Sequence, residues 1–325
     1  MFMKSQINLI ALLLVCVVSL PCRAEGGQEE YRVRTGDVQD LLHAIELANQ
    51  HAAKGFTIHI PNGLYDLGEK VLTRLEASHV HLVGESMDST IIRNQPGIEV
   101  EGISTTATLL NLGCGNTFEN LTLQNALDYY NSGFAGRAVA LQDKGDSTVC
   151  QRVRLLSHQD TYFSNNASST HWFRDCEIHG TVDFICGDGD VYFDRCLLVA
   201  KYRRPGGGGE CTLTAPKTRA GGRGFVFRNC TIRTDGSRFN LGRAWGESPR
   251  CVYINTTLEQ PELLRPSRFS PKGMNVCVAE FLEYRTMDKE GRVVSPASNV
   301  LTITKGEQSD TRERILQSVP EEDLK

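Results

Sequence analysis

Four short segments of this chain are written to one pattern, and that repetition constrains the fold more than any other feature. They are FENLTL at 118–123, FRDCEI at 173–178, FDRCLL at 193–198 and FRNCTI at 227–232. Each has an aromatic residue, two polar residues, an apolar residue or cysteine, and then alternation; CQRVRLL at 150–156 is a looser copy. Cys176 and Cys196 lie 20 residues apart, and Cys196 and Cys230 lie 34 apart. A period near 20 with variable insertions marks a solenoid. One such coil is too thin to bury its own apolar face, so coils must stack to make a core. Between the copies run short apolar pieces such as FTIHI, HVHLVGE, STIIRN, TLLNLG, AVALQD and CTLTAP, separated by Gly, Asn and Asp. Strands this short fit an all-β fold, a parallel β-helix, with Cys176, Cys196 and Cys230 stacked inside it. An antiparallel sandwich or barrel is the competing fold, but it needs tight hairpin signals at regular spacing, and these are lacking.

The ends are built differently. DVQDLLHAIELANQHAA, Asp37–Ala53, has helical apolar spacing with acids at its start and is predicted to cap the N-terminal edge of the solenoid. Residues 261–276 read as a loop or short helix leading to AEFLEY at 279–284, and residues 306–325 as a polar tail. The first 24 residues, MFMKSQINLIALLLVCVVSLPCRA, have a basic start, a short apolar run and a small closing residue. That is the layout of a secretory leader cleaved near Ala24, and the run is short for a bilayer span. Its removal would leave 301 of 325 residues. It would also take away Lys4 and Arg23, moving the net charge from −4 to −6, which excludes a nucleic-acid binder by bulk charge. Eleven cysteines would become nine, an odd number, in a chain long enough to bury a core without disulfides.

Three segments put charge into apolar or strand-like surroundings: HQDTYF with Gln159 and Asp160, GTVDFICG with Asp183, and LGRAW with Arg243 and Trp245. A buried carboxylate is costly unless something pairs with it. Asp160 and Asp183 are 23 residues apart, close to one coil. Stacked strands lie about 4.8 Å apart, so the two acids can be neighbours. Neighbouring carboxylates split their pKa values into one acid and one base or nucleophile. Arg243 could hold the ionised member through a bidentate pair. Taken singly, an Asp in a turn caps backbone amides and an Arg makes a surface pair; only the set points to a site.

The set, in its order, resembles the pectin methylesterases, or pectinesterases, of carbohydrate esterase family 8. The matching pieces are AVAL (138–141), QDTYF (159–163), FRDCEIHGTVDFICG (173–187), FDRC (193–196), LGRAW (241–245) and AEFLEY (279–284), spread over roughly residues 38–295. The resemblance implies a right-handed parallel β-helix over residues 25–305, with a cleft along one face. It implies removal of methyl esters from galacturonate in pectin or a pectic fragment, without metal or cofactor. Position by position, Asp183 matches the family nucleophile, Asp160 the general acid/base, Arg243 the residue orienting the nucleophile, Gln159 an oxyanion donor and Trp245 a sugar platform. A secreted or periplasmic monomer with a pectic substrate is expected.

Two positions depart from the family. Arg137, in GRAVAL, stands where a second oxyanion glutamine is usual. It could donate to the oxyanion or bind a substrate carboxylate, but a cation there should lower the pKa of Asp160. Cys186 replaces an aromatic of the cleft wall and is expected to widen the substrate pocket. With Arg203 and Arg204 in the glycine-rich stretch YRRPGGGGE (202–210), this points to a decorated or short galacturonide. Four Asn-x-Ser/Thr triplets, at Asn120, Asn166, Asn229 and Asn255, arise readily by chance, and GDGD at 187–190 reads as a tight turn rather than a calcium loop. Two other functions compete: a non-catalytic pectin-binding protein on the same scaffold, which needs no paired carboxylates, and a polysaccharide hydrolase or lyase.

Overall fold

Each copy of the repeated pattern bends at one residue in the left-handed region. The computed structural model describes residues 29–51, 55–132, 136–204, 209–246, 248–274, 279–294 and 301–302, with backbone only for 51, 271–274 and 301–302. The proposed leader, the polar tail and residues 205–208 of the glycine-rich stretch lie outside these. In the copy at 170–180, strands Thr170–Arg174 and Glu177–Gly180 flank Asp175, at φ 52°. The same position on successive coils is held by Asn120, Arg152, Asp175, Arg195, Asn229, Asn255 and Arg285, all with φ between 50° and 54°. Asn and Asp tolerate this region better than most side chains. Neighbours in the row bond to one another: Arg152 Nε donates to Asn120 Oδ1 at 2.6 Å, and Arg195 grips Asp175 with two bonds of 2.8 Å. Three of the four Asn-x-Ser/Thr triplets thereby have a structural origin. Asn120, Asn229 and Asn255 are corner residues, and the Thr two places on stands in the strand that follows.

On either side of the corner the side chains point inward in rows. The aromatic of each copy stacks on the next: Phe173–Phe193 at 5.0 Å, Phe193–Phe227 at 4.5 Å and Phe227–Tyr253 at 4.7 Å between ring centroids. Such pairs contribute about 0.5–1.5 kcal/mol each beyond their burial. Cys176, Cys196 and Cys230 are buried and follow one another on adjacent coils, since Glu177, Leu197 and Thr231 pair in register. All eight described cysteines are free thiols.

The strands form a parallel β-helix, as the repeat predicts, and it is right-handed, as the resemblance implies. An 18-stranded sheet wraps two sides, and an 8-stranded sheet closes the third. The latter comprises Thr73–Leu75, Leu109–Asn111, Leu141–Asp143, Tyr162–Ser164, Val182–Gly187, Glu210–Pro216, Arg238–Trp245 and Phe269–Met274. Its last strand falls where the sequence reads as loop or short helix. Pro271 and Gly273 hide it, and proline is tolerated because, among the described strands, this one pairs only with Arg238–Trp245. The predicted helix spans Val38–His51. Asp37 caps it, accepting from the amides of Gln39 and Asp40 at 3.1 and 3.0 Å. Its buried stripe, Leu41, Ala44, Ile45 and Ala48, covers the first coil. Among the described residues no helix is long and apolar enough to cross a membrane.

Candidate active site

Alternation along the 8-stranded sheet sends Leu141, Tyr162 and Ile185 into the core. It sends Phe163, Cys186 and Ala215 to the opposite side, where they pack with Ala107, Val139 and the partly buried Trp245. Asp160 and Asp183 stand at the entrances of two adjacent strands of this sheet. Tyr162 pairs with Ile185, which puts Asp160 beside Asp183, and the Asp160 amide donates to the Val182 carbonyl at 3.2 Å. Both aspartates take the left-handed conformation, at φ 60° and 50°. Both are 4% exposed, which decides their electrostatics.

Arg243 lies two strands beyond Asp183, and its long side chain spans the intervening strand Glu210–Pro216. Its Nε donates to Asp183 Oδ1 at 2.8 Å and Oδ2 at 3.1 Å, and its Nη2 to Oδ2. Burial raises Asp183 above the usual carboxylate range, while Arg243, followed by the field of Arg203, pulls it back. Asp160 has no such partner. Burial and then the neighbouring Asp183 hold it well above the usual range, against the weaker pull of Arg137, Cys186 and Arg243. The arginine thus favours charge on Asp183, and burial without such a partner favours a proton on Asp160.

The other residues marked by sequence occupy varied positions. Arg137 pairs with Gln159 through a parallel bridge, one coil before the acids. The Gln159 side chain makes no hydrogen bond to the described residues, whereas the Arg137 guanidinium is bound to Glu101 at 3.2 Å through Nε and 2.7 Å through Nη2. Cys186 is 1% exposed, and its thiol points at Asp160 Oδ1, 3.8 Å away, and at the Tyr162 carbonyl. It offers no surface to widen a pocket, because its position is roofed by its neighbours. Burial keeps it a thiol. Trp245 stacks on Phe163, with ring centroids 6.4 Å apart and planes at 24°, and Lys217 Nζ lies 5.6 Å from its ring. In GDGD, Asp190 accepts from the amides of Arg223 and Gly224 at 2.6 and 2.9 Å, closing a turn with Gly187 and Gly189 at positive φ. Among the described residues no group of three or more His, Cys, Asp and Glu could hold a metal ion.

Sequence reasoning passed over Phe163, whose outward placement is legible in the alternation of TYFS. It also passed over Glu101, which carries no sequence signal, and a cluster beside the acids. There His158 stacks on Tyr129 at 4.6 Å, and Lys201 Nζ lies 3.1 Å from His158 Nε2 and donates to the Ser157 carbonyl at 3.2 Å. Burial, then Lys201, pushes His158 down to about 3, and burial pushes Lys201 down to about 8.

A parallel β-helix with a buried, arginine-anchored aspartate pair on its outer face defines the class. The chain belongs to the pectinesterase family, whose model matches residues 32–302. It is 33% identical over 245 residues to "Probable pectinesterase 30" of Arabidopsis thaliana, covering 73% of this chain and 47% of that protein. The chain spans less than half the length of the curated relatives it matches. Its fold is that of pectin methylesterase PemA from Erwinia chrysanthemi, with TM-score 0.70, 23% identity and coverage of 86% of this chain and 92% of that one. A pectin methylesterase in complex with a hexasaccharide superposes with TM-score 0.69, at 23% identity and coverage of 86% and 92%.

Proposed function

We propose that this protein removes methyl esters from galacturonate residues of pectin or a pectic fragment. The observation that carries the reading is the pair Asp160–Asp183 with Arg243 on the charged member, in a chain of the pectinesterase family. Asp183 Oδ attacks the C6 carbonyl carbon, and the negative charge passes to the carbonyl oxygen. Gln159, with its amide uncommitted, and an Arg137 N–H stabilise that oxygen. The C–O bond to the methyl group's oxygen breaks, and Asp160 gives its proton to the departing methanol. Asp160, now a carboxylate, takes a proton from water, which attacks the acyl-enzyme and releases a galacturonate acid and Asp183. Trp245, backed by the buried Phe163, forms the aromatic face for a sugar ring, and Arg203 suits an acidic ligand. The case for a decorated galacturonide rests on Arg203 and Arg204 alone, because Cys186 lies beneath the surface. In this reading residues 1–24 export a monomer whose domain is residues 25–305, followed by a polar tail.

The test is methanol release from highly methylated pectin by the wild type and Asp183→Ala. Release by the first and not the second supports the assignment. Wild-type binding of pectin with no methanol from any pectic substrate would replace it with a non-catalytic binding protein, and new reducing ends with a hydrolase.

A further inference from the structure

The arginine in the oxyanion row raises an electrostatic problem, and the loop before it holds the answer. Glu101 follows the short turn Ile98–Val100 and meets Arg137 at three points. Its Oε2 accepts from the Arg137 amide at 3.0 Å and from Nε at 3.2 Å, and its Oε1 from Nη2 at 2.7 Å. The clamp is in register with the site. The Gly102 amide donates to the Arg137 carbonyl at 3.2 Å, the Ala138 amide to the Gln159 carbonyl at 3.0 Å, and the Asp160 amide to Val182. Glu101, Arg137, Gln159 and the aspartates thus sit on successive coils, tied by backbone bonds. Two of the five N–H groups of Arg137 are taken by Glu101, and the two on Nη1 make no bond to the described residues.

We propose that Glu101 is a positioning residue of the esterase site: it holds the Arg137 guanidinium as an oxyanion donor while keeping it off the Asp160 carboxyl. The inference rests on the esterase reading. The groups facing Asp160 are Asp183 and Cys186 from the next strand, Arg243 from two strands further, and Arg137 from the preceding coil. Asp183 and Arg243 form one closed ion pair, Arg137 and Glu101 another, and Cys186 stays neutral. At Asp160, burial and then the Asp183 charge favour the proton, against the pull of Arg137, whose guanidinium is drawn into its own ion pair with Glu101. Released from Glu101, the cation, whose field already reaches Asp160, would act on that carboxyl more strongly and lower its hold on the proton that methanol must receive. Glu101 is itself held below its usual range, first by its hydrogen bond from Arg137, so the clamp stays charged at neutral pH.

The experiment is the pH profile of kcat/KM for methanol release from methylated pectin, measured for wild type, Glu101→Gln, Glu101→Asp, Arg137→Gln and the Glu101→Gln/Arg137→Gln double variant. The alkaline limb reports loss of the Asp160 proton. In Glu101→Gln it should move to lower pH by about half a unit to one unit, with a loss of about twofold to fivefold at the wild-type optimum. Glu101→Asp should restore most of the shift. Over Arg137→Gln, the Glu101→Gln change should leave the limb in place, because there is no guanidinium to release. An unmoved limb in Glu101→Gln, or the same displacement with and without Arg137, overturns the proposal and leaves the esterase reading intact. A wild type that releases no methanol overturns both.

Discussion

Two regions of this molecule use the same unusual backbone to opposite ends. At the outer corner, Asn120, Arg152, Asp175, Arg195, Asn229, Asn255 and Arg285 repeat a left-handed residue coil after coil. At the mouth of the 8-stranded sheet, Asp160 and Asp183 adopt the same conformation. Corner residues meet solvent and one another, and their charges are paired along the row, as in Arg195 with Asp175. The two aspartates are buried, and one has no cation to itself. The conformation alone therefore carries no function. In one place it turns a strand, and in the other it presents a carboxyl at a strand entrance, where desolvation changes its protonation.

The comparison can be broken most forcefully at Asp183. Asp183→Asn keeps shape and removes the proposed nucleophile, and methanol release should fall by about a thousandfold or more, while Asp175→Asn at the corner leaves it within about twofold. Initial rates on methylated pectin read both, and equal losses would erase the distinction. The core row should respond in stability rather than chemistry. Phe193→Ala removes the middle of the aromatic stack and should cost about 3–5 kcal/mol in urea unfolding.

A third effect sharpens the electrostatic contrast. His158 keeps a folded pKa of about 3, against roughly 6.5 unfolded. The unfolded chain thus binds a proton that the native one refuses. Full stability is present above the unfolded value and is lost as pH falls from about 6.5 toward 3. Between pH 7 and pH 5 this group should cost about 2 kcal/mol, which His158→Gln should recover in urea midpoints at the two pH values. An undiminished loss in that variant would place the acid sensitivity elsewhere. The smallest effect belongs to the corner. Asn229→Ala should cost about 1 kcal/mol through its left-handed φ, and Asn229→Gly less, in thermal unfolding. Equal costs would mean that the Asn229 side-chain bonds, not its φ, hold the corner.

Much of the scaffold is legible along the chain because a solenoid repeats its local instructions. The aromatic, the corner residue and the cysteine recur at fixed offsets, and each faces its own counterpart one coil away. The 23-residue separation places Asp160 and Asp183 on adjacent coils for the same reason. What stayed hidden depends on loops of unequal length, where no period exists. Glu101 lies in such a loop, and nothing near it in sequence points to Arg137. Cys186 reads as a wall residue, but the packing of Phe163, Val139 and Ala215 around it decides its burial. The strand Phe269–Met274 escapes a propensity reading because its Pro and Gly are tolerated only at a sheet's end.

The repeat, the stacked interior and the presence of two acids one coil apart can be read along the chain, because they rest on periodicity and on residue chemistry. Only the folded chain brings to Asp183 an arginine 60 residues away, and that pairing favours charge on this acid over its neighbour. It alone decided that the Arg137 cation is answered by Glu101, 36 residues earlier. Protonation follows the summed field and the exclusion of water at a point in space, and neither is a property of any local stretch of chain.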